Sequence, residues 1–391
     1  MRYPKEHKIE AKDINRNIQN VISNNQKIIK KRNAGVDLLR IISMIAVIYV
    51  NIISQGKGID KYNEYKNKIN KSKTYAFFHS NAYGVISGIV GYKSTRYSNL
   101  LYLWLCVVFY SVGIHYYYYL KYKRDTYIGI ELYKEYYPVI YNRYWYFTSY
   151  FGMFLFLPSV NKGIQYLTKP EFKALVMSIF GIFVVWQAFM NIKDDHFRMN
   201  GGSSTIWLLC LYITGAYIGK YNKVYTGIKR YIVSFIYLFL FLVLCYIFNE
   251  YSNINLEFSG KYLNNFIKRL TSDNLNSAIK FEQAFFLALF FLQLKYNYYL
   301  SKLITFIGPL TFAVYLIHAN PIVYDKYIPT IMNGESYDLT FNEIMLMFIL
   351  KCIKIFVGCI IIDYLRHLLF TILKIREICI LAEKIFFKII S

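Results

Sequence analysis

The chain has 391 residues, 56 % of them hydrophobic and 19 % aromatic, and carries a formal net charge of +23 at neutral pH. Its apolar residues gather in long runs that are hydrophobic on every side, which excludes an ordinary soluble domain, whose helices keep a polar face. A nucleic-acid binder is also basic, but it does not set its charge between membrane-length apolar segments, so no nucleic-acid partner is expected.

In chain order, residues 1–33 are polar and basic, with neither an apolar core nor a small-residue cleavage site. They read as a cytoplasmic tail rather than a cleavable signal peptide. About 20 mostly apolar residues cross a bilayer. Runs of that kind predict spans at 36–55, 75–92, 99–120, 144–160, 174–192, 205–219, 231–249, 279–295, 303–320 and 344–366. The fold class is therefore all-α, a polytopic membrane helix bundle of about ten transmembrane helices in one domain, 34–368. Lysine and arginine favour the loops on the N-terminal side, which places both termini in the cytoplasm. The outer segment 57–73 runs against this bias, being itself rich in lysine. Beyond it all, residues 369–391 alternate apolar and charged side chains at near-helical spacing, as expected of a basic amphipathic helix on the inner membrane surface.

Polar side chains within apolar runs are costly and so mark candidate sites. Arg40 lies about one turn into the first span. It either snorkels to the inner interface, paired with Asp37, or anchors an anionic ligand entering from the cytoplasm. Asn51 follows eleven residues later, about 16 Å further out at the helical rise. His79, His115 and His318 fall at a similar depth in their spans, so an outer polar layer is one reading and a set of interfacial hydrogen-bonded residues the other. Lys93 and Arg96 occupy the tight loop after the second span. With Arg40 they offer a basic inner mouth suited to phosphate oxygens. Tyr144, Trp145 and Tyr146 either stack on a sugar acceptor or belong to an interfacial aromatic belt. Lys351 and Lys354, one turn apart near the centre of the last span, are expected to face the bundle interior or a wet cavity. Cys106, Cys210, Cys245, Cys352, Cys359 and Cys379 show no CxxC pair and no Cys/His ligand spacing. They read as buried free thiols, and no metal site is expected.

Five segments in order resemble the acyltransferase-3 family, the multi-spanning acyltransferases of bacterial cell-surface glycans. They are RNAGVDLLRIISMIAVIYVN, HSNAYGVISGIVGYKSTRYSNLLYLWLCVVFYSVGI, YWYFTSYFGMFLFLPSVNKGI, GGSSTIWLLCLYITGAYIGKY and IGPLTFAVYLIHANP. The resemblance implies a bacterial inner-membrane O-acetyltransferase of surface polysaccharide. Its donor is then acetyl-CoA or another acyl-CoA, and its acceptor a hydroxyl of a glycan or glycolipid. It places Arg40 at the family's motif arginine, and Lys93 and Arg96 in the basic loop after the ISG element. It also exposes a departure, since the family's histidine position holds Asn51. An amide can hydrogen-bond but cannot act as the base. Either His79 or His318 supplies the base, or the enzyme is slow, or the chain is a catalytically degenerate binding or scaffold protein. A glycolipid transporter is the further alternative, but the inverted repeats it predicts are not seen.

Overall fold

The computed structural model describes residues 32–55, 62–122, 128–189, 195–252, 261–331 and 338–390. The predicted N-terminal tail, apart from Arg32 and Asn33, lies outside the described residues. Every regular element among the described residues is helical.

The first helix, α1 (Ala34–Gln55), is followed by the short α2 (Lys66–Ser72) and a 3₁₀ turn, Lys73–Ala76. The chain then turns back through α3 (His79–Gly91), α4 (Ser98–Tyr122) and the short α5 (Ile128–Tyr136). Next come α6 (Trp145–Tyr166) and α7 (Lys169–Phe180), which continues through a π-helical stretch, Gly181–Trp186, to Phe189. The helices α8 (Thr205–Tyr221), α9 (Gly227–Tyr251), α10 (Lys261–Leu270) and α11 (Ala278–Gln293) follow. A broken helix, α12 (Tyr298–Ile307) and α13 (Thr311–His318), is joined by the 3₁₀ turn Gly308–Leu310. After it come α14 (Pro321–Lys326), the long α15 (Phe341–Ile372) and the terminal α16 (Ile375–Ile390).

Local signals set several of these boundaries. Thr168 and Thr340 each form a reciprocal capping box with the glutamate three residues on, starting α7 and α15. The side chains of Ser204 and Asn297 accept from the backbone N–H groups of Trp207 and Leu300 at the starts of α8 and α12. Such caps satisfy the helix's orphan donors, which water does not reach in lipid.

Six helices are long and apolar enough to cross a membrane: α1, α4, α7 with its continuation, α9, α12–α13 and α15. The four other segments predicted as spans are helical too, as α3, α6, α8 and α11. Three of them, α3, α8 and α11, have more than half of their residues buried and need no apolar surface all round. Eleven of the sixteen residues of α11 are buried, Lys280 and Gln283 among them. Only four of the twenty-five in α9 are.

A close backbone seam runs between α3 and α8. A Cβ on Gly88 would stand 2.0 Å from the Tyr212 carbonyl oxygen, and one on Gly215 2.0 Å from that of Val85. Small residues let membrane helices approach where no hydrophobic drive acts between them. Gly88→Leu is therefore expected to destabilise the protein by at least about 1–3 kcal/mol, read as a lower thermal midpoint in detergent. Gly163→Ala is the control, since a Cβ there meets open space.

At the C-terminus, α15 runs to Ile372 and α16 follows it. It is fastened to the start of α4: Glu383 accepts from the Tyr97 N–H at 2.5 Å, and the rings of Tyr97 and Phe387 lie 6.1 Å apart. All six cysteines are buried and free.

Candidate active site

Where α1 ends and α3 begins, a cavity of about 340 Å³ opens between them and the aromatic start of α6. Its walls include Asn51, His79, Tyr83, Arg143, Tyr146 and Tyr315. The antiparallel course of α1 and α3 produces this meeting, because the eleven-residue step from Arg40 to Asn51 ends level with the first residue of α3, His79.

His318 stands behind Asn51 rather than in the cavity wall. Its Nδ1 lies 2.6 Å from the Val314 carbonyl oxygen, and its Nε2 lies 3.2 Å from Asn51 Nδ2. A carbonyl only accepts, so Nδ1 carries the proton and Nε2 receives the amide N–H of Asn51. Both ring nitrogens are then occupied, and His318 is 1 % exposed. His79 differs. Its Nδ1 lies 2.6 Å from Ser80 Oγ, and its Nε2 makes no hydrogen bond among the described residues. With the proton on Nδ1 and donated to Ser80, Nε2 holds a lone pair beside the cavity. Of the two histidines proposed to replace the base missing at Asn51, the geometry leaves His79 free.

The aromatic run divides in the same way. Trp145 is 37 % exposed and Tyr146 partly buried, both lining the cavity. The Tyr146 hydroxyl is buried without a hydrogen-bond partner. Tyr144 is only 2 % exposed. Its hydroxyl donates to the Leu316 carbonyl at 3.0 Å and accepts from Asn320 Nδ2 at 2.9 Å. That pins the turn after His318 to the start of α6, so Tyr144 holds the wall together and offers no free hydroxyl.

His115 does not join this cavity. Its Nδ1 lies 3.9 Å from Glu135, whose fully buried carboxylate accepts from Ser111 and Arg143. Arg143 is thereby held at the cavity wall by a carboxylate behind it. Nothing in the sequence spacing of these residues announces that pair.

At the opposite end of α1, a second cavity of about 510 Å³ is lined by Arg32, Asp37, Arg40, Val90 and Asn222 among others. Asp37 receives Arg40 at 2.5 Å and both Arg32 nitrogens at 2.9 and 2.7 Å. Two guanidinium groups share one carboxylate, which leaves the mouth positive. Asp37 itself nests against Gly308, where a Cβ would stand 2.7 Å from its own. Arg40 is thus paired with Asp37 and also lines this cavity. Lys93 and Arg96 are exposed and line neither cavity. Their loop is fixed instead by Asn161, whose Nδ2 donates to Gly91 and Ser94 at 3.1 and 2.6 Å. Arg32, just inside the predicted tail, takes the place expected of them. Tyr83 links the two ends, lining the first cavity while its hydroxyl donates to the Arg40 carbonyl at 2.7 Å.

Of the two lysines in the last span, Lys351 donates to the Ile331 carbonyl, whereas Lys354 is exposed on α15. The interior position expected for Lys354 is not observed. No group of three or more metal-ligating side chains occurs among the described residues.

The acyltransferase-3 family model, described as an acyltransferase domain, matches residues 33–364. The chain belongs to that family. The match runs from the start of α1 into α15 and so takes in both cavities. No curated protein and no solved structure matches the chain. Within the acyltransferase-3 frame, Asn51 lines the first cavity and Arg40, on the same helix, lines the second.

Proposed function

We propose that this acyltransferase-3 protein is a membrane O-acyltransferase that moves an acetyl group from acetyl-CoA to a hydroxyl of a cell-surface glycan or glycolipid. The observation that carries the reading is the placement of a guanidinium-lined cavity and an imidazole-bearing cavity at opposite ends of α1, joined by Tyr83. In this reading ten segments cross the bacterial cell membrane and both termini lie in the cytoplasm, so the Arg40 end faces the cell interior. Arg40 and Arg32 hold the donor's phosphates, with Lys93 and Arg96 adding positive potential at the rim. The pantetheine arm extends along α1, a separation of about 16 Å between Arg40 and Asn51.

His79 Nε2 takes the proton from the acceptor hydroxyl as its oxygen attacks the thioester carbonyl. A tetrahedral oxyanion forms and accepts from the unpartnered Tyr146 hydroxyl. Collapse breaks the carbon–sulfur bond, CoA leaves as the thiolate, and the proton on His79 passes to it. Trp145 supplies an apolar face for a sugar ring. Asn51 fixes His318 and helps shape the wall.

The test is acceptor-dependent release of free CoA from acetyl-CoA by the purified protein, given a lysate of its own surface glycans. Turnover by the wild type is expected, with Asn51→His changing the rate less than about tenfold because the base lies elsewhere. A silent wild type with an active Asn51→His variant would identify a lapsed enzyme that retains ligand binding. Absence of any CoA binding would remove the acyltransferase reading.

A further inference from the structure

A third cavity, about 940 Å³, belongs to neither of those described. It lies between α2 with its 3₁₀ turn and the facing ends of α9 and α10, and Lys68, Lys71, Lys73 and Lys268 line it. Asp273 is the one acidic residue among the described lining. Its carboxylate is 91 % exposed and stands 4.0 Å from Lys280 Nζ. Asp273 also lies close enough to act on the Lys73 charge. Among the described residues, however, no carboxylate forms an ion pair with Lys68, Lys71, Lys73 or Lys268, so four lysines face one exposed carboxylate. Phe77 and Phe248, ring centroids 5.4 Å apart, supply an apolar wall. Burial holds the Lys73 ammonium below the usual lysine range, so an anion seated beside it would gain from that charge.

Three of these lysines come from segment 57–73, which opposes the positive-inside bias of the rest of the chain. Lysine gathered on the outer side is not an orientation signal, and four point charges around one cavity match a string of anionic groups. The cavity also adjoins the site: Phe77 lines the one and His79, two residues on, lines the other.

We infer that this basic cavity binds the charged chain of an anionic acceptor, a glycan bearing phosphodiester or carboxylate groups, and presents its hydroxyl to the cavity of His79. The inference rests on the acyltransferase reading and narrows its acceptor class. A volume near the upper end for ligand sites, ~300–1,000 Å³, admits several units of such a chain.

The test uses the full-length protein in phosphatidylcholine nanodiscs and a fluorescent glycerol-phosphate hexamer, its units joined by phosphodiesters. The wild type is expected to bind the probe in a salt-sensitive manner and to ignore an uncharged glucan hexamer. The triple variant Lys71→Gln, Lys73→Gln, Lys268→Gln should bind it about tenfold or more weakly, while the corresponding Lys→Arg triple retains binding. Acetyl-CoA binding is measured in parallel. Its retention in the glutamine triple shows an intact fold, and its loss in the wild type would indict the acyltransferase reading separately. Equal probe binding by wild type and glutamine triple, or equal binding of the uncharged glucan, overturns the inference. So does loss of probe binding by the wild type in phosphatidylglycerol nanodiscs, which would assign the cavity to a lipid headgroup.

Discussion

His79→Gln should lower the rate of acyl transfer by about 10²–10⁴-fold, the usual cost of a lost general base, while leaving acetyl-CoA binding unchanged. Glutamine keeps a hydrogen-bonding group at the start of α3 but cannot take the hydroxyl proton. The equivalent change at His318 should cost less, because both of its nitrogens are committed, one to Val314 and one to Asn51. The split between rate and stability separates a base from a merely structural residue. In His79→Gln, kcat should fall while the thermal midpoint and acetyl-CoA binding hold. In His318→Gln, which breaks the contacts to Val314 and Asn51, the thermal midpoint should fall with the rate. Equal losses of rate and of stability at the two positions would remove His79 from the base role.

The contrast between these histidines shows what the sequence could and could not convey. Depth was legible, because a helix advances by a fixed rise and the distance of Asn51, His79, His115 and His318 along their spans follows from counting. Azimuth was not. Which way a side chain faces depends on the neighbour its helix packs against, and so His115 turns to Glu135 while His79 lines the cavity. The same limit hid the Glu135–Arg143 pair, formed between a short helix and the turn before α6, with no periodic pattern to mark it. The apolar runs were easier to read, since a helix in lipid must satisfy its own backbone and show apolar side chains outward. Those runs become α1, α4, α7, α9, α12–α13 and α15, the helices long and apolar enough to span. Arg32 precedes the first apolar residue, so no span pattern marks it. Only the fold shows that Asp37 gathers it beside Arg40.

The second large effect should come from a buried ion pair outside both cavities. Asp363 is fully buried and Arg366 is 7 % exposed. Arg366 Nε and Nη2 donate to the two Asp363 oxygens at 2.7 and 3.0 Å, and its Nη1 reaches the Tyr102 hydroxyl at 2.9 Å. Tyr110 donates to the same carboxylate at 2.8 Å. This cluster clamps α4 to α15, and both helices pack against α13, which ends in His318. Arg366→Leu strands the carboxylate with one hydroxyl donor in an apolar setting and should destabilise the protein by about 3–5 kcal/mol. Adding Asp363→Leu removes the stranded charge, so the double variant should recover much of that loss. Recovery should stop short of complete, because Tyr102 and Tyr110 each lose a buried partner at about 1–3 kcal/mol apiece. Thermal midpoints of the wild type, both single variants and the double variant in detergent yield the coupling directly. A double variant less stable than Arg366→Leu alone would show that the pair is not what joins the two helices. A double variant that regains stability but loses acyl transfer would show instead that the clamp sets the position of α13, and through it the contact between His318 and Asn51.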